Sequence, residues 1–98
     1  MAAIKGALLA AFGGRLKGAV LYGSEARGGG EPDSDIDVLV LLDGPIRLGA
    51  DLQTIIDALY PLQLEVCRPI HAMPVSVKAY AAGEFALYRN AKKEGIPA

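Results

Sequence analysis

The chain has 98 residues, long enough for one domain and too short for two. Ten basic residues against eleven acidic ones leave a net charge of −1, which gives no electrostatic footprint for duplex nucleic acid. Hydrophobic residues make up 52% and the mean hydropathy is +0.31, values that exclude a disordered chain and are high for a domain this small. Part of that apolar surface is therefore expected to lie under another protein, either a partner or a further copy in a homo-oligomer. The single cysteine, Cys67, excludes a disulfide framework, fits a reducing compartment, and reads as a small buried hydrophobe.

No apolar run approaches a membrane span; Val38 to Leu42 is only the length of a strand. The N-terminal MAAIKGALLAAFGG lacks a small-residue cleavage site, and Ile4, Leu8, Leu9 and Phe12 recur at helical spacing. A first helix ending at Gly13-Gly14 and a cytoplasmic protein with no membrane contact are the expectations.

Gly18 to Tyr22 (GAVLY) predicts a short strand bounded by Gly23. Glu25 to Asp33, with three consecutive glycines and Pro32, predicts a loop. Asp35 to Leu42 (DIDVLVLL) alternates and then turns continuously apolar. That pattern suits a strand buried on both faces along its body and exposed on one at its start. Leu52, Ile55, Ile56, Leu59 and Tyr60 predict a second helix stopped by Pro61, followed by an extended piece from Leu62 to Val66. Pro69 to Val77 (PIHAMPVSV) predicts a third strand, at an edge because of Pro74. Phe85 and Tyr88 fall on a last helix whose final turn carries Lys92 and Lys93, with Gly95 as its cap. The order is helix, strand, strand, helix, strand, helix. The two adjacent strands suit an antiparallel pair in a mixed sheet.

Two features could carry chemistry. Asp35 and Asp37 stand two apart on a predicted strand, so they share a face, with Cα atoms roughly 6.5–7 Å apart. Like charges so placed call for compensation, and Mg²⁺, a hard cation that prefers oxygen ligands, supplies it. A solvated strand end with acids that block edge pairing is the plainer reading of the same pair. Gly23-Ser24 follows a strand directly, and a glycine beside a hydroxyl and exposed N–H groups can hold phosphate oxygens. Such turns are common, and the chain contains neither G-x-x-x-x-G-K-[ST] nor a G-x-G-x-x-G after a strand.

The ordered combination is more specific. The string GSEARGGGEPDSDIDVLV resembles the signature of the DNA polymerase beta-like nucleotidyltransferase superfamily, and within it the minimal nucleotidyltransferase branch. The resemblance is strong from Gly18 to about Val40 and looser to the C-terminus. It implies an α/β (α+β) nucleotidyltransferase fold: a small mixed sheet of three to four strands flanked by three to four helices, as one domain over residues 1–98. It further implies that Gly23 and Ser24, with Arg27 and Ser34 beside them, contact a nucleoside triphosphate such as ATP. Asp35 and Asp37 would hold Mg²⁺, and a third carboxylate would stand on a later strand. At that third position the strand PIHAMPVSV places His71; Glu65 is the nearest upstream acid and would serve only if the strand ran differently. Imidazole is a poor Mg²⁺ ligand but can act as a base toward an attacking hydroxyl. Larger relatives carry further domains for the base and the acceptor, so the resemblance points to a partner that completes the pocket. It implies a small helical HEPN-type toxin whose antitoxin this chain would be, modified by AMP transfer to a hydroxyl. A catalytically weak or inactive protein that neutralises the same partner by binding is the alternative.

Overall fold

The computed structural model describes residues 2–22, 36–66 and 69–97. Helix α1 (Ala2–Phe12) runs through a 3₁₀ turn into strand β1 (Leu16–Tyr22). Strand β2 (Ile36–Leu42), helix α2 (Leu48–Glu65) and strand β3 (Ile70–Ser76) follow, then helices α3 (Val77–Ala82) and α4 (Ala86–Glu94) and the two-residue strand β4 (Ile96–Pro97). The sheet order is β3-β2-β1-β4; β1 pairs antiparallel with both β2 and β4, and β2 pairs parallel with β3. The sheet is therefore mixed, as the adjacency of the first two strands suggested, and Pro74 sits on an edge strand, where a missing N–H is tolerated.

Strand alternation divides the core in two. The even-numbered residues of β2 (Ile36, Val38, Val40, Leu42) join Ala19 and Leu21 of β1 against Ile4 and Leu8 of α1 and Ile55 and Leu59 of α2. The odd-numbered Leu39 and Leu41 join Val20, Val75 and Ala91 on the opposite face, with Tyr80 of α3 and Tyr88 of α4 packed against them. Val38, Leu39, Val40 and Leu42 are fully buried, which is why the run reads as continuously apolar.

The far end of this sheet is locked by Arg15. Its Nη1 donates to Asp51 Oδ1 at 2.9 Å, Nη2 to Asp51 Oδ2 at 3.3 Å and to the Pro45 carbonyl at 3.1 Å, and Nε to the Asp43 carbonyl at 3.2 Å. Asp51, buried in the first turn of α2, also accepts the Arg47 N–H at 2.9 Å and so satisfies a donor at the helix start. The Arg15 guanidinium, countered by Asp51's own burial, holds the Asp51 carboxyl below the usual aspartate range.

Four sequence expectations are corrected. α2 does not stop at Pro61 but carries it inside the helix to Glu65, so no extended piece begins at Leu62; only Val66 turns extended. Pro61 is exposed while Leu59 and Leu62, on either side of it, pack into the core, and that burial outweighs the lost backbone bond. β3 ends at Ser76, and Val77 opens α3 instead. The Ser76 hydroxyl accepts from the Ala79 N–H, and Gly83 closes the helix in the left-handed region at φ 65°. Phe85 is the residue before α4 rather than part of it, whereas Gly95 caps α4 as expected. β1 begins at Leu16, two residues before GAVLY. Cys67 lies outside the described residues.

Candidate functional site

The start of β2 and of β3 and the finish of β1 meet at one end of the sheet. There Asp37 of β2 pairs in register with Tyr22 of β1 on one side and with His71 of β3 on the other. In-register neighbours share a face of a pleated sheet, and adjacent strands lie about 4.8 Å apart. Tyr22, Asp37 and His71 therefore form a row across three strands. The row lies on the face that carries Leu39, Leu41 and Val75 further along, where α3 and α4 pack. Asp37 continues the odd-numbered series of β2 beyond the covered part, so the alternation that buries Leu39 and Leu41 leaves the carboxylate half-buried at the rim.

His71 stands exposed on the edge strand. Glu65, the other residue considered for the third position, is the last residue of α2, exposed and off the sheet, so it occupies no register position beside Asp37. Burial pushes the Tyr22 hydroxyl above its ordinary pKa, and the negative charge of Asp37 pushes it further in the same direction. Sequence reasoning passed over Tyr22; its place directly before Gly23-Ser24, at the end of an alternating strand, is the signal that marks it.

Gly23, Ser24, Arg27, Ser34 and Asp35 lie outside the described residues, on the connection between Tyr22 and Ile36. Among the described residues no three His, Cys, Asp or Glu side chains cluster closely enough to hold a metal ion. Asp37 suits Mg²⁺ by its donor type, a carboxylate at an accessible strand end; the imidazole of His71 does not. Among the described residues no helix is long and apolar enough to cross a membrane.

The sequence model of one protein family, described as a nucleotidyltransferase domain, matches residues 2–94. A comparison with curated proteins finds no match. The mixed sheet and its flanking helices agree with the family match.

Proposed function

The chain belongs to the nucleotidyltransferase domain family, and from that premise we propose that it transfers AMP from ATP to a hydroxyl on a helical HEPN-type partner and thereby acts as that partner's antitoxin. The observation that carries the transferase reading is the row Tyr22–Asp37–His71, which puts an aspartate at the strand end beside the residues that connect β1 to β2. The likeness of GSEARGGGEPDSDIDVLV to the minimal branch supports the choice of ATP and of the partner.

In this reading Gly23 and Ser24, with Arg27 and Ser34, hold the triphosphate. Asp35 and Asp37 would hold Mg²⁺, which when bound neutralises charge on the phosphate oxygens and lowers the pKa of an attacking hydroxyl. The acceptor oxygen forms a bond to the α-phosphorus, the bond from that phosphorus to the bridging oxygen breaks, and pyrophosphate leaves. His71, the neighbour of Asp37 on β3, takes the proton released by the hydroxyl.

A second reading rests on the same residue. An imidazole where the family resemblance calls for a third carboxylate favours a chain that has lost most of its catalytic power and neutralises its partner by masking it. Purified chain incubated with α-labelled ATP and Mg²⁺, with and without the partner, separates the two. Label on the partner that is lost in Asp37→Ala supports transfer; a tight complex without label supports masking.

A further inference from the structure

One row along the exposed surface of α2 is apolar. Leu48, Ile56, Tyr60 and Leu64 are 63%, 50%, 60% and 69% exposed, and half-buried Leu52 completes a row at spacing four along the helix. Such an i±4n row is the ridge that one helix presses into the groove of another. Beside it, between α2 and the edge strand β3, runs a groove of about 260 Å³ lined by Ile56, Tyr60, Gln63, Ile70, His71 and Ala72. That volume is below the range of about 300–1,000 Å³ usual for small-molecule sites, but it admits one or two side chains.

We propose that this groove docks an amphipathic helix of another protein, one whose apolar ridge is flanked by lysine or arginine. Three observations select that occupant. The first concerns the backbone edge of β3. The Pro69 carbonyl accepts the Ile36 N–H at 2.8 Å, so odd-numbered residues of β3 turn their backbone toward β2 and even-numbered ones turn outward. The outward Ile70 N–H is taken by Gln63 Oε1 at 2.7 Å, and the outward Pro74 has none, so the edge is blunted against an added strand.

The second is charge. From Leu48 to Val66 there is no lysine, arginine or histidine, while Asp57 and Glu65 are exposed beside the ridge. The third is symmetry. A second copy packed centrally on the same ridge, about a two-fold axis near Ile56, would bring Asp57 against Asp57, so that arrangement is disfavoured. The groove opens on the α2 side of the sheet, where Ile70 and Ala72 pack, while Asp37 and His71 share the opposite face. Docking therefore does not rest on the transferase reading.

The test uses the isotopically labelled full chain and two synthetic helical peptides that share a leucine ridge, one flanked by lysines and the other by glutamates. The lysine peptide is expected to move the amide resonances of Ile56, Tyr60, Gln63 and Ala72. It should bind about tenfold or more tightly than the glutamate peptide. Ile56→Asp, at a half-exposed position that tolerates the change, should abolish that binding, and Asp57→Lys should invert the preference between the peptides. Equal binding of the two peptides, or shifts centred elsewhere, would overturn the proposal. So would a dimer of the chain that Ile56→Asp dissolves, because the occupant would then be a second copy. Nucleotide transfer is not read in this experiment, so its failure leaves the transferase reading untouched, and the loss of that reading leaves the docking result standing.

Discussion

Asp37 and His71 stand opposite each other in register on parallel neighbouring strands, at the end of the sheet where β1 gives way to the Gly23-Ser24 segment. Register of this kind is a stronger statement than proximity in sequence, since the two residues are joined only through the whole of α2. It places an imidazole, and not the Glu65 carboxylate, beside the aspartate.

The first prediction concerns that imidazole. If His71 accepts the acceptor's proton, His71→Ala lowers the rate of nucleotide transfer by about 10²-fold or more while leaving the circular dichroism spectrum and melting temperature essentially unchanged, because His71 is exposed. An unchanged rate would remove His71 from the chemistry.

Tyr22 reports on Asp37 without any assay of activity. The Tyr22 hydroxyl is held above its ordinary value by burial first and by the Asp37 charge second. In a spectrophotometric titration of the four tyrosines, Asp37→Asn should lower the titration of Tyr22 and leave that of Tyr80, raised by burial alone, where it is. The linked effect on stability follows from the direction of the shift. Tyr22's contribution is whole below the ordinary tyrosine value of about 10 and is lost as the pH rises through the folded value.

The Arg15–Asp51 clamp has the opposite pH signature. Its hydrogen bond to Arg15 holds the Asp51 carboxyl low, so the stability it contributes is present above the ordinary aspartate value of about 3.9 and is lost as the pH falls through the folded value. Asp51→Asn should therefore destabilise the chain at pH 6 by about 1–3 kcal/mol in urea unfolding, and the gap to the parent should close in strong acid. An equal gap at both pH values would show that the carboxylate's charge is not what matters.

Gly95 gives a packing test. A Cβ there would collide with the Ala91 carbonyl oxygen and with Cγ1 of Val20, since the turn from α4 into β4 passes directly over β1. Gly95→Ala is expected to cost about 1–3 kcal/mol, read in thermal or urea unfolding; a neutral result would mean that this close approach does not matter to stability.

Much of the architecture is legible in the residues because periodicity reports burial. DIDVLVLL announces a strand covered on both faces with an open start, and Pro74 announces an edge; both follow from local chemistry. What is not legible is decided between distant residues or by competition. α3 is hidden because PVSV reads as continuing strand, while the Ser76 cap and the left-handed Gly83 turn the chain into a helix. The helix through Pro61 persists because Leu59 and Leu62 gain more from burial than one backbone bond is worth. The Arg15–Asp51 pair spans 36 positions and has no local signal. At the candidate site, Asp37 and His71 were identifiable by type and place, but their mutual register depends on how the β2–α2–β3 crossover closes, which no spacing rule supplies.

The central claim, that Asp37 serves nucleotide transfer, is tested most directly by incubating the chain with α-labelled ATP, Mg²⁺ and its HEPN-type partner and comparing the parent with Asp37→Ala, whose half-exposed position leaves the fold intact. The account predicts label on the partner with the parent chain and none with the variant. Equal labelling by both, or no labelling by the parent in a complex that still forms, would contradict it.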